Sequence, residues 1–126
     1  MRLQAVTLVV PDYDDGIAFF VGKLGFDLIE DMPLGEGKRW VLVAPKGGET
    51  RLLLAAGKDD RQRASIGNQT GGRVAFFLET DDFARDQAAF LARGVEFMEA
   101  PRREAYGTVA VFRDDFGNLW DLIEYT

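Results

Sequence analysis

Reactive side chains are scarce in this chain, because it contains no histidine and no cysteine. Their absence excludes Ser-His-Asp and Cys-His mechanisms and thiolate-bound metal, and it leaves acid–base chemistry to Asp, Glu, Lys or Tyr. Asp121 is the first candidate, since it alternates with Leu119 and Ile123 on an otherwise apolar strand face. We expect Asp121 to orient a ligand, to act as a base whose pKa burial has raised, or to form a structural ion pair with Arg73.

Three further side chains have types suited to ligand binding. Arg73 follows two glycines at the start of a predicted strand, and it either clamps an anionic or carbonyl group or is a solvated arginine. Trp40 is either a stacking wall for a planar ligand or a core residue. Tyr106 either donates a hydrogen bond to a bound oxygen or lies on a surface turn. The candidate ligand-binding residues are thus Trp40, Arg73, Tyr106 and Asp121, and the candidates for catalysis are Asp121 and Tyr106.

Composition is typical of a soluble globular domain. The chain has 126 residues, of which 47% are hydrophobic and 29% charged, and no apolar run approaches the ~18 residues of a membrane span. Its formal net charge of −6, with scattered Lys and Arg, argues against nucleic acid or a membrane surface as partner and favours a cationic or neutral small molecule. Because the start does not resemble a signal peptide, we expect a cytoplasmic protein.

Hydrophobic periodicity and turn residues predict the same order of elements in both halves of the chain: a strand, a helix and three strands. The first helix begins after Asp12 or Asp14 and ends at Gly25, and the second covers 82–93. The predicted strands cover 3–10, 26–30, 40–44, 51–55, 73–79, 95–98, 107–113 and 119–124.

The two halves are altered copies of one unit. Asp12 pairs with Asp82, Tyr13 with Phe83, Phe20 with Phe90, and, after a one-residue gap, Gly25 with Gly94 and Glu30 with Glu99. Such a duplication predicts one α+β domain over 1–126, built from two tandem βαβββ modules. We place module one at 1–57, a linker at 58–72 and module two at 73–126, and we expect a curved, eight-stranded, half-open sheet with one helix per module.

This order of elements resembles the vicinal oxygen chelate superfamily, which includes glyoxalase I, extradiol dioxygenases, fosfomycin-modifying enzymes and bleomycin-binding resistance proteins. The resemblance extends from Leu3 to Glu124. It rests on Val10-Pro11-Asp12-Tyr13, Phe19-Phe20, Lys23-Leu24-Gly25-Phe26, Tyr106-Gly107 and Asp115-Phe116-Gly117-Asn118-Leu119-Trp120-Asp121-Leu122. Members with two modules commonly pair, so the resemblance implies a homodimer.

The resemblance also implies a divalent metal held at four strand positions, of which this chain retains one donor. The four positions fall on Ala5, on Arg73 or Ala75, on 52–54, and on Asp121. One carboxylate does not hold Zn²⁺, Ni²⁺ or Fe²⁺ tightly, and an all-oxygen site for Mg²⁺, Ca²⁺ or Mn²⁺ needs several more carboxylates. We therefore predict no metal ligands and no cofactor, while a weakly bound divalent metal stays open.

Three functions remain compatible with the residues. The leading hypothesis is a metal-free small-molecule binding protein that sequesters a cationic or aromatic compound, as the bleomycin resistance proteins do. The alternative is a lyase or isomerase related to the glyoxalases and dioxygenases, with a histidine-free site that uses Asp121 or Tyr106. The third is an interaction module without a small-molecule ligand. The scaffold alone does not choose among them.

Overall fold

The computed structural model describes residues 1–126, which form two compact units, Met1–Ile66 and Gly67–Thr126. The first unit contains β1 (Ala5–Val10), α1 (Tyr13–Ile17) with a π-helical continuation at Ala18–Lys23, β2 (Asp27–Gly35), β3 (Lys38–Ala44), β4 (Arg51–Ala56) and α2 (Asp60–Ala64). The second unit contains β5 (Val74–Glu79), α3 (Phe83–Ala92), β6 (Glu96–Phe97), β7 (Arg102–Glu104), β8 (Gly107–Arg113) and β9 (Leu119–Tyr125).

The first unit is a four-stranded sheet with α1 packed on one face. The strand order is β1-β4-β3-β2, in which β1 runs parallel to β4 and the other pairs are antiparallel. The Asp12 side chain caps α1 by accepting a hydrogen bond from the Asp15 backbone N–H at 2.7 Å. A Cβ at Gly16 would lie 2.9 Å from a methyl carbon of Leu54, so the glycine permits close approach of α1 to β4.

A long hairpin joins β2 and β3, where the sequence predicts only strands 26–30 and 40–44. Glu36 and Gly37 have φ values of 56° and 77°, the paired left-handed conformation of a tight hairpin turn. A register shift between Pro33 and Gly35 precedes this turn. Pro33 and the glycines on either side of Glu36 interrupt the apolar alternation, which is why the hairpin end is missing from the predicted strands.

The second unit is a five-stranded sheet with an aromatic core beneath α3. Its order is β5-β9-β8-β6, with β7 paired to β8, and β5 runs parallel to β9. Phe90 of α3 meets Phe112 edge-on at 5.5 Å between ring centroids, and Phe112 stacks on Trp120 at 5.7 Å. These contacts place α3 on the face of the sheet to which Phe112 and Trp120 point.

The predicted α+β class is confirmed, with a strand and a helix followed by further strands in each unit. The strands form two hydrogen-bonded sheets, of four and five strands, where the sequence predicts one sheet of eight. The structure adds a ninth strand, β7, and a short helix, α2, within the segment 58–72. Both additions are brief and rich in charged residues, so neither produces the apolar periodicity from which the other elements were predicted. None of the helices has the length and apolar character that crossing a membrane requires.

Candidate functional site

The candidate site lies on the face of the second sheet opposite α3, which we call the helix-free face of the second unit. Phe112 and Trp120 point toward α3. Because side chains alternate along a strand, the residues next to them in sequence, such as Val111 and Asp121, point away from α3. One row on this face runs across three strands, since Asp121 of β9 is paired with Val111 of β8 and with Phe77 of β5. The Phe77 side chain is 66% exposed, so this row places an accessible aromatic ring beside a carboxylate.

Asp121 carries a buried acceptor that nothing in the protein satisfies. Its Oδ1 atom is inaccessible to solvent and has no hydrogen-bond partner. Burial raises the pKa of Asp121; the charge of Arg102 acts against this shift, and that of Glu99 adds to it. An unsatisfied buried oxygen is costly to the folded state.

Arg102 of β7 organises the acidic groups near Asp121. Its Nε donates to Glu99 at 2.9 Å, and its Nη1 donates to Glu104 at 2.8 Å. The second oxygen of Glu99 accepts from the Val111 backbone N–H at 2.9 Å. The hydrogen bond from Arg102 holds the pKa of Glu99 below its usual range, and hydrogen bonds with Glu99, Glu104 and the Tyr106 side chain raise the pKa of Arg102. The cluster is therefore an ordered network in which Arg102 and Glu99 hold each other in their charged forms.

A buried carboxylate fixes the turn that precedes the site strand. Asp114 is 3% exposed and accepts hydrogen bonds from the backbone N–H groups of Phe116 and Asn118 at 3.0 and 2.9 Å. It also accepts from Asn118 Nδ2 at 2.9 Å and from Trp120 Nε1 at 3.1 Å. Because Trp120 adjoins Asp121 in β9, this turn sets the position of the site carboxylate.

The structure links two of the predicted site residues through Arg102. Tyr106 contributes to the raised pKa of Arg102, and Arg102 acts electrostatically on Asp121. Arg73 is exposed, its backbone carbonyl accepts from the Thr70 hydroxyl at 2.7 Å, and its side chain makes no ion pair with Asp121. The expected Arg73–Asp121 ion pair is therefore wrong, because β7, an element absent from the prediction, supplies the neighbouring cation. The ligand-binding role of Arg73 stays a prediction.

Trp40 belongs to the first unit. It lies half-buried on β3, where it is paired with Met32 of β2. It points to the same face as Leu42 and therefore away from α1. This placement fits a stacking wall as well as a partly buried core residue, so both interpretations of Trp40 stay open.

Sequence reasoning missed Phe77, Glu99 and Arg102. The segment 101–104 is charged and has no apolar alternation, so no strand is predicted there, although its Arg-Arg-Glu pattern is compatible with a short edge strand. Glu99 carried one usable signal, since it occupies the repeat position of Glu30. Phe77 is part of the alternating pattern that predicts strand 73–79. The exposure of its side chain depends on tertiary packing, which the pattern does not reveal.

The donors present do not fit the divalent metal that the resemblance implies. No group of three or more His, Cys, Asp or Glu side chains is arranged to hold a metal ion. Asp121 lies near Glu99, but both Glu99 oxygens are engaged, one by Arg102 and the other by the Val111 backbone. Ala5 and the segment 52–54 offer no side-chain donor. No chemical step through a metal is therefore derived for this site.

The chain belongs to the Glyoxalase/Bleomycin resistance protein/Dioxygenase superfamily, whose family model matches residues 2–122. An uncharacterized protein of Shewanella frigidimarina is 52% identical over 121 residues, covering 94% of this chain and 90% of that protein. The crystal structure of UcmS2 is 32% identical with a TM-score of 0.85 and covers 98% of this chain and 97% of its own. TnmS3, an antibiotic binding protein from Streptomyces sp. CB03234, is also 32% identical, with a TM-score of 0.80, and covers 100% of this chain and 97% of its own.

Proposed function

We propose that this protein binds and sequesters an aromatic, cationic small molecule on the helix-free face of the second unit, without a metal. The observation that carries the proposal is the buried, unpartnered Oδ1 of Asp121 in the same row as the exposed ring of Phe77. The likeness to TnmS3, described as an antibiotic binding protein, supports the same class of function. Sequestration needs affinity alone, so a site without the family's metal ligands is sufficient for it.

The charges around the site favour a cation. Arg102 is hydrogen-bonded to Glu99 and Glu104 and acts electrostatically on Asp121, so three carboxylates share the charge of one guanidinium. A protonated amine that donates to Asp121 would form a charge-assisted hydrogen bond, worth about 1.5 to 3 kcal/mol. A planar ring against Phe77 would add contact area at little entropic cost. Together these groups select a ligand that joins an amine to an aromatic system.

The test is a calorimetric titration with matched planar probes. We expect proflavine, an aromatic cation, to bind the wild-type protein, and acridone, a neutral ring system of similar shape, to bind at least about tenfold more weakly. Asp121→Asn should weaken proflavine binding by about tenfold or more, because the amide removes the negative acceptor.

Asp81→Asn is the matched control, since it removes one negative charge from an exposed pair with Arg85 in the same unit. Its affinity for proflavine should remain that of the wild type. Equal weakening by the two variants would mean that overall charge, and not the Asp121 site, attracts the ligand. Absence of saturable binding across proflavine, bleomycin and related aromatic cations would contradict the proposed function.

The raised pKa of Asp121 supports a second candidate function. A carboxylate that accepts a proton more readily than usual can act as a general base in a lyase or isomerase. This candidate requires that turnover of a carbonyl substrate disappears in Asp121→Asn while the circular dichroism spectrum is retained. Turnover that persists in the variant would remove Asp121 from the reaction.

The homodimer that the resemblance implies is a separate prediction. Sedimentation equilibrium should give twice the 14.0 kDa mass of the chain. A single species at the mass of one chain would contradict it.

A further inference from the structure

The first unit contains an open cleft of about 800 Å³ that the proposed function does not use. The cleft lies between the β2–β3 turn, the end of β4 and α2. Its volume falls within the range of small-molecule sites. The residues that matter for its chemistry are Tyr13, Glu36, Lys38, Lys58 and Gln62, with Ala55 among the apolar lining.

Hydrogen-bond donors outnumber acceptors among the side chains of this cleft. Lys38 and Lys58 form no ion pair with any carboxylate, and the Tyr13 hydroxyl has no acceptor in the protein. The Gln62 side-chain oxygen already accepts from the Lys58 backbone N–H at 3.1 Å, so its amide N–H₂ is the group left for a ligand. Glu36 is the only carboxylate in the lining.

The wall formed by Tyr13 is held in place before any ligand arrives. The Arg39 guanidinium lies 5.3 Å from the centre of the Tyr13 ring. Arg39 is itself fixed by Asp14 at 2.9 Å and by both oxygens of Asp31 at 3.1 and 2.8 Å. A ring held by such a network loses little freedom on binding, and this favours affinity.

We propose that this cleft is a second binding site, which takes a small organic carboxylate with an aromatic or apolar body. The lysines, the tyrosine hydroxyl and the glutamine amide supply donors for the carboxylate, and Ala55 and the Tyr13 ring supply apolar contact for the body. The site goes beyond the proposed function, because it lies in the other unit and selects the opposite charge.

The test uses 2-naphthoate and 2-naphthamide, which share a ring system and differ in charge. With ¹⁵N-labelled full-length protein, we expect 2-naphthoate to shift the backbone N–H resonances of residues 35–38 and 57–62. 2-Naphthamide should bind at least about threefold more weakly than 2-naphthoate. Lys38→Gln and Lys58→Gln should each weaken 2-naphthoate binding about threefold, and together about tenfold, as for exposed ion pairs.

Lys46→Gln is the matched control, since it removes the same charge from an exposed pair with Asp27 outside the cleft. This variant should bind 2-naphthoate like the wild type. Equal binding of the two probes, equal weakening by Lys46→Gln, shifts confined to other residues, or no shifts at all would each overturn the proposal. None of these outcomes bears on proflavine binding at Asp121, so the two sites are tested independently.

Discussion

The two units share an order of elements but differ in the chemistry of one corresponding row of side chains. In the first unit Leu53 of β4 is paired with Thr7 and Leu42, and in the second unit Asp121 of β9 is paired with Phe77 and Val111. Both central residues point away from the helix of their unit. The order of elements is thus retained, while the central position of the row is a leucine in the first unit and a carboxylate in the second.

The charge of the chain is also divided unevenly between the units. Met1–Ile66 has ten acidic and nine basic residues, a net of −1, and Gly67–Thr126 has eleven acidic and six basic residues, a net of −5. A cationic ligand is therefore attracted mainly to the second unit, whereas the first unit leaves Lys38 and Lys58 without carboxylate partners. A repeat of one fold can in this way present two different electrostatic environments.

The largest expected effect is a difference in free energy of unfolding between variants in the turns that join the last two strands of each unit. Asp114→Ala should lower the free energy of unfolding by about 3 to 4 kcal/mol, because four hydrogen bonds to a buried acceptor are lost. Lys46→Ala, in the corresponding turn of the first unit, should change it by less than about 0.5 kcal/mol. Urea unfolding followed by tryptophan fluorescence measures both; similar losses for the two variants would contradict the special role of Asp114.

The second prediction transfers the carboxylate to the first unit. Leu53→Asp should lower the free energy of unfolding by about 2 to 3 kcal/mol, since it removes apolar packing and introduces a charge without the Arg102 network. Leu53→Asn serves as the uncharged control and should lose less at pH 7. The two variants should become equally stable near pH 3, where the new aspartate is protonated. A Leu53→Asp protein as stable as the wild type would show that the row accepts a carboxylate in either unit.

The third prediction compares the two arginines that organise acidic groups, Arg102 and Arg39. The Arg102 hydrogen bond lowers the pKa of Glu99, so the stability from ionised Glu99 is present above its usual pKa and is lost as pH falls through the lowered value. Arg102→Gln should therefore shift the acid-unfolding midpoint to higher pH. Arg39→Gln should do the same through Asp31, whose pKa Arg39 lowers by hydrogen bonding.

Circular dichroism during acid titration measures these midpoints, and proflavine titration separates the two arginines. Only Arg102→Gln should alter the pH dependence of proflavine binding, because Arg102 and not Arg39 acts on Asp121. A midpoint that stays in place in Arg102→Gln would mean that Glu99 contributes no acid-dependent stability.

The smallest effect concerns the pH dependence contributed by Asp121 itself. Burial raises its pKa in the folded protein, so its charged form destabilises the fold, and this destabilisation develops as pH rises through the raised value. Asp121→Asn should match the wild type near pH 3 and be slightly more stable at pH 7, by less than about 1 kcal/mol because solvent screens a partly exposed charge. Differential scanning calorimetry at both pH values measures this. A variant less stable than the wild type at pH 7 would show that the Asp121 charge is stabilised in the fold.

The sequence predicted the elements that have strong periodicity and the family to which the chain belongs. Strand 107–113 and the helix start after Asp12 follow from local alternation and capping chemistry, and the structure has both. Asp121 was found because a carboxylate in an apolar strand pattern is visible without coordinates. β7 was not found, since three residues with two arginines and a glutamate carry no apolar period and become a strand only by pairing with β8.

By itself, the sequence determined the duplication, the lack of histidine and cysteine ligands, and the presence of one carboxylate on an apolar strand face, because each of these is a property of residue type and spacing. Only the tertiary structure decided that Arg102, and not Arg73, is the cation near Asp121, and that Asp121 Oδ1 is buried without a partner. It also decided that Lys38 and Lys58 line one cleft. These outcomes depend on contacts between residues distant in the chain, and local periodicity contains no information about such contacts.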